Sequence, residues 1–190
     1  MKEIELTWYG PVDFSKIKEK DYTNTFKGIT EGGIYLHCFQ IPNSEKYAIS
    51  YVGKHEYSIV QRNIEHYFNT KNGNYSIYSL SEETFLNIIY NQNDSSKIEN
   101  FRNDIIYNIN MLKLFYAKCK AKEISEFVTL RPLEGALQYY LYRNTNTRKY
   151  LTTNVSNYDL RNVKICNVKS KLNTNYEIIG LDDNILTYMD

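Results

Sequence analysis

The amino-acid sequence predicts an α+β fold in a single domain: a small central sheet, mostly antiparallel, flanked by helices, with a helical insertion and a C-terminal β-hairpin. Three observations carry that expectation. Two β-rich runs, Ile34–Ile41 and Tyr47–Gly53, are separated by the turn signal Pro42-Asn43-Ser44. The pattern then changes to an amphipathic helix behind Ser58. Strand-like and helix-like segments keep alternating as far as Leu181.

In chain order, residues 1–28 read as a polar arm, and Gly32-Gly33 opens the hairpin. Ser58 is the expected N-cap of a helix through Arg62, Ile64, His66, Tyr67 and Phe68, closed by Asn72-Gly73-Asn74. Tyr75–Leu80 alternates as a short strand. Residues 81–96 are polar, with a helical patch at Glu83–Tyr90 and a loop at Asn91–Ser96. Ile98, Phe101, Ile105 and Ile106 give Lys97–Asn108 helical spacing, and Met111–Cys119 is apolar enough for a strand. Pro132 opens a helix over Leu133–Arg143, since the first turn tolerates proline. Val163–Val168 and Tyr176–Leu181 form the expected late hairpin around Leu172–Asn175.

At 190 residues, with 42% hydrophobic and 24% charged side chains, the chain can bury a core without staples. No run approaches the roughly 20 apolar residues of a membrane span, and MKEIELTWYG is not a signal sequence, so a cytoplasmic location is expected. Cys38, Cys119 and Cys166 lie far apart without a CxxC pair, which excludes a disulfide framework or zinc knuckle and leaves buried thiols. Net charge is only +1, but it is unevenly spread: residues 101–171 hold 13 Lys/Arg against 5 Asp/Glu. A local excess of this kind suits a polyanion, because local potential captures phosphates.

Several residues then fall into an ordered pattern: Gly33-Ile34-Tyr35, Tyr51-Val52-Gly53-Lys54, Arg62 and His66 four apart, and Glu134 in a later helix. Arg62 and His66 share one helix face, and Tyr35 and Tyr51 lie on paired strands whose register can turn both hydroxyls into one pocket. Glu134 is the only acid between Phe127 and Tyr158; as a helix first-turn carboxylate it would complement the dipole. Taken together over about residues 30–155, the pattern resembles the GIY-YIG endonuclease family.

That resemblance implies the GIY-YIG nuclease fold and metal-dependent hydrolysis of DNA phosphodiester bonds, in a stand-alone enzyme of restriction or phage type. Glu134 corresponds to the family's single metal ligand, and one carboxylate with water and phosphate oxygens suits Mg²⁺, or Mn²⁺ in its place. Arg62 corresponds to the arginine on the scissile phosphate, and His66 to a proton-transfer group. A motif tyrosine is the implied general base, with Tyr35 preferred, Tyr51 shaping the site and Lys54 supplying positive potential. Gly33 and Gly53 are expected to free the backbone to turn and to let phosphate approach, and the bracing asparagine falls on Asn146 or, preferably, Asn154. Lys113, Lys118, Lys120, Arg131, Arg143 and Lys149 flank Glu134 in sequence and are the expected contacts to double-stranded DNA. A double-strand break would need two such sites, hence a homodimer or successive nicks. The alternative is a protein of the same fold that grips DNA without cutting it.

Overall fold

The computed structural model describes residues 2–81, 85–118, 130–152, 163–173, 175 and 177–187. Strand β1 (Lys2–Asp13) leads through a short helix, α1 (Lys20–Thr23), to the hairpin of strands β2 (Gly33–Gln40) and β3 (Lys46–His55). Helix α2 (Ile59–Lys71) follows, then β4 (Ile77–Ser81), β5 (Phe85–Tyr90), a kinked 3₁₀ segment over Gln92–Phe101, and α3 (Arg102–Met111). Strand β6 (Leu112–Lys118), helices α4 (Leu130–Arg143) and α5 (Thr145–Arg148), and strands β7 (Val163–Leu172), β8 (Glu177–Ile179) and β9 (Asn184–Thr187) complete the order. The fold is mixed α+β, as the alternation of segments implies.

The main sheet has seven strands in the order β8-β3-β2-β6-β1-β7-β9. It is larger than expected, because the N-terminal residues form a strand rather than a polar arm. Glu3, Glu5 and Thr7 alternate with Ile4, Leu6 and Trp8, a period-two pattern whose acids belong to one face while Leu6 and Trp8 are fully buried on the other. Strand β1 pairs antiparallel with β6 and parallel with β7, and the Trp8 indole N–H donates to Asn167 Oδ1 at 2.8 Å across the second pairing.

The expected late hairpin does not form. β7 pairs with β1 and β9, while β8 crosses to the opposite edge and lies parallel to β3 over Lys46–Ala48. Local turn chemistry between residues 172 and 175 is overridden by two longer-range pairings that each complete a sheet edge. Likewise Phe85–Tyr90 is a strand paired with β4 and not a helix; its aromatic and β-branched residues prefer the pleat. The expected loop at Asn91–Ser96 falls within the 3₁₀ segment, α3 begins later than the spacing predicts, and α4 begins at Leu130 with Pro132 in its first turn.

Two cores occupy the two faces of the sheet. Ile34, Leu36, Cys38, Ile49 and Val52 pack with Leu133, Leu137 and Leu141 of α4. Tyr35, Phe39, Leu114 and Tyr116 pack on the other face with Phe14, which follows β1, with Ile59 and Tyr67 of α2 and with Ile105 and Ile109 of α3. Among the described residues no helix is long and apolar enough to cross a membrane.

Candidate active site

The hairpin of β2 and β3 builds the centre of the site. Strict alternation along β3 would put Tyr51 on the same face as Tyr47 and Ile49, which pack toward α4. A β-bulge intervenes: His37 pairs with Tyr51 and Cys38 with Ile49, leaving Ser50 as the extra residue. The Ser50 hydroxyl donates to the His37 carbonyl at 3.0 Å, and the Thr152 backbone N–H and hydroxyl both donate to the Ser50 carbonyl. The bulge turns Tyr51 onto the face of Tyr35, whose ring centroid lies 6.0 Å away.

Gly33 is the first residue of β2 and Gly53 lies within β3, and both are paired in the sheet rather than placed in a turn. A Cβ on Gly53 would fall 2.4 Å from Tyr35 Cζ and 2.6 Å from Tyr51 Cε1; its absence makes room for the two phenols. A Cβ on Gly33 would lie 2.2 Å from the Ala117 carbonyl oxygen, so glycine there permits close pairing of β2 with β6.

Helix α2 is capped as expected, with the Ser58 hydroxyl accepting from the Gln61 N–H. The helix brings His66 to the hairpin, where His66 Nε2 is 2.9 Å from the Tyr35 hydroxyl. Arg62, one turn earlier, is half-buried, hydrogen-bonded to Glu65 at 2.8 Å, and interacts with the Tyr35 hydroxyl and with Tyr75. Burial works against its charge, but Glu65 and the phenols outweigh it, so the guanidinium stays positive.

Glu134 reaches the same place from the other face of the sheet. Because β8 covers β3 only up to Ala48, the outer edge of β3 beyond that point needs other partners. Residues one turn apart on α4 supply two of them: the Gln138 amide donates to the Val52 carbonyl at 3.1 Å, and the Lys54 backbone N–H donates to the Glu134 carboxylate. Glu134 therefore comes round the open edge to face Tyr51, Lys54 and Arg62. It stands beyond the first turn of α4, so the dipole reading loses its basis. Burial pushes its carboxyl up, while Lys54, Arg131 and Arg62 pull it back toward the charged form. Tyr51 is raised by burial and then by Glu134, against the lowering effects of Tyr35 and Arg62.

Three residues that motif reasoning did not put in the site complete it. His37 Nε2 lies 2.6 Å from Asn63 Oδ1, and the Asn63 amide donates to the Ile59 carbonyl, so Asn63 accepts and His37 Nε2 carries the proton. The His37 ring packs 5.3 Å from those of Tyr51 and His66, and Tyr75 packs 5.4 Å from His66. The helical period puts Ile59, Asn63 and His66–Tyr67 on one face of α2, a signal that could have placed Asn63 beside His66 but not its pairing with a strand histidine. Burial lowers His37 to about 4 and His66 to about 2, the latter helped by His37 and Arg62. Both are neutral in the folded protein.

The sign of the linkage follows. Each histidine binds a proton more readily unfolded, near pH 6.5, than folded, so stability is complete above about pH 6.5 and falls as pH drops toward 4. Each contributes a slope of at most about 1.4 kcal/mol per pH unit in that window. Melting midpoints measured between pH 4.5 and 8 should fall on the acid side, and His37→Gln should flatten the slope; a pH-independent midpoint would contradict the buried neutral pair.

The basic residues divide. Lys113 is ion-paired with Asp13 and Lys118 approaches Glu31 at 3.7 Å, so both are engaged within the fold. Arg131 is exposed near Glu134, whereas Arg143 and Lys149 stack on Tyr139 and Tyr150 at the far end of the helical segment. Lys120 and Asn154 lie outside the described residues. Among the described residues no group of three His, Cys, Asp or Glu side chains could hold a metal ion, which leaves Glu134 as a lone carboxylate with further lone pairs to offer. A scan of protein-family models and searches of curated proteins and of solved structures found no match to this chain.

Proposed function

We propose that the chain is a metal-dependent DNA endonuclease that hydrolyses phosphodiester bonds at the site formed by Tyr35, Tyr51, Lys54, Arg62, His66 and Glu134. The observation that carries this reading is the convergence: residues from two strands and from helices on opposite faces of the sheet meet at one open edge of β3. A structural role for Glu134 alone would require only the Lys54 N–H; it would not require a guanidinium, two phenols and an imidazole beside it.

In-line hydrolysis needs a proton acceptor for water, positive charge on the phosphate and stabilisation of the departing oxygen. Arg62 supplies the second with a planar fork matched to phosphate oxygens. We assign the base to Tyr51 rather than to Tyr35. Tyr35 is fully buried and hydrogen-bonded to a neutral His66, whereas Tyr51 is partly exposed, faces Glu134 and Arg62, and has its ionised form favoured by the Tyr35 hydroxyl. His66 and Tyr35 then hold Tyr51 in position. Glu134 would be the one protein ligand of a divalent cation such as Mg²⁺ or Mn²⁺, with water and phosphate oxygens completing the shell. When bound there, the cation would neutralise the carboxylate that opposes Tyr51 ionisation and stabilise the departing oxygen.

The test is incubation of the purified protein with supercoiled plasmid and Mg²⁺ or Mn²⁺. Nicked or linear product, lost with chelator, is the expected result. Arg62→Ala should abolish cleavage while changing stability by at most about 1 kcal/mol, since a partly exposed ion pair is worth little. A gel shift without cleavage would favour the DNA-binding alternative, and neither result would remove both.

A further inference from the structure

A cavity of about 370 Å³ opens at the proposed site, lined by Tyr51, Arg62 and His66 and also by Tyr75, Tyr78 and Gln92. The second set comes from the insertion around β4 and the 3₁₀ segment, which the proposed chemistry does not use. We propose that this cavity is a base-binding pocket: it receives a nucleobase, out of its stack, whose own phosphate lies on Arg62. This rests on the endonuclease reading for the identity of the polymer, though not for the chemistry of the pocket.

Three features point to a nucleobase. The walls are aromatic, formed by Phe14, Phe39, Tyr75 and Tyr78, which suits a planar ring, and the volume falls in the range of small-molecule sites. Apart from Arg62, the polar side chains of the lining are neutral hydroxyls, imidazoles and amides. His37, with its proton on Nε2 toward Asn63, has Nδ1 as a bare acceptor; no buried side-chain nitrogen or oxygen among the described residues lacks a partner, so Nδ1 is open to the cavity its ring lines. Gln92, an exposed residue, also lines the cavity, and its side-chain amide has no hydrogen-bond partner among the described residues. An acceptor and an amide on one aromatic-walled cavity match the mixed edge of a base. Finally, among the described residues Arg62 is the one cation of the lining, which leaves its charge for the backbone phosphate and the rest of the cavity for the base. Enzymes that bind an extruded base use this division, with stacking walls and hydrogen bonds to the ring edge.

Calorimetric titration of the full-length chain, without metal, with dAMP, dCMP, dGMP and dTMP and with 2-deoxyribose 5-phosphate tests the pocket separately from cleavage. At least one nucleotide should bind tenfold or more tighter than the sugar phosphate. Ser76→Trp, which fills the slot, should remove that preference, and Gln92→Ala, an exposed position that leaves the fold intact, should reduce it at least threefold. Equal affinity for all five compounds, or a preference untouched by both variants, would overturn the proposal. Plasmid nicking without base preference would sink the pocket alone, and base preference without nicking would sink the endonuclease reading while supporting the pocket as a nucleotide site.

Discussion

Glu134→Gln should eliminate plasmid cleavage, by about 10²–10³-fold or more, without lowering the melting temperature. Gln keeps an oxygen to accept the Lys54 N–H, so the edge of β3 stays capped. It loses the charge that a cation would bind and that Arg62 and Lys54 balance. Because burial raises the folded carboxyl above its unfolded value, the ionised group costs stability at pH 7, and a neutral amide should leave the protein equally or slightly more stable. Glu134→Ala, by contrast, also uncaps the N–H and should cost about 1 kcal/mol in addition. Paired plasmid digests and melting curves separate these effects. A Gln variant that melts several degrees lower yet cuts at the parental rate would make Glu134 a strand-edge cap and nothing more.

Tyr51→Phe and Tyr35→Phe should fail in different ways. Each removes one oxygen. At Tyr51 the loss is of the proposed proton acceptor, and single-turnover cleavage should fall by about 10²–10⁴-fold with stability nearly unchanged, because the ring is only partly buried and its packing survives. At Tyr35 the loss strands His66 Nε2, whose ring is buried, at a cost of about 1–3 kcal/mol. Cleavage should then fall less than stability does. DNA binding in the absence of metal should survive both changes, since Arg62 remains. Normal cutting by Tyr51→Phe, with loss confined to Tyr35→Phe, would return the base role to the buried phenol.

Much of this arrangement is legible in the chain itself. The hairpin of β2 and β3, the Ser58 cap and the shared face of Arg62 and His66 follow from local turn chemistry, capping and the 3.6-residue period. Strand β1 was legible only in part: Ile4 and Leu6 alternate with Glu3 and Glu5, but the acids make the segment read as a polar arm. The conversion of Phe85–Tyr90 from helix to strand was not, since a short apolar run with β-branched residues fits either period until a partner strand is present.

What the residue order alone determined, then, is which chemical groups exist, the helix that pairs Arg62 with His66 and the hairpin that carries two tyrosines. The tertiary structure decided that they meet. A bulge at Ser50 turns Tyr51 to the face of Tyr35, and an incomplete β8 leaves the edge of β3 open for Glu134 and Gln138 to reach round from the other side. Both are matters of strand pairing between distant segments. Register is set by partners far away in the chain, whereas a sequence pattern reports only on near neighbours.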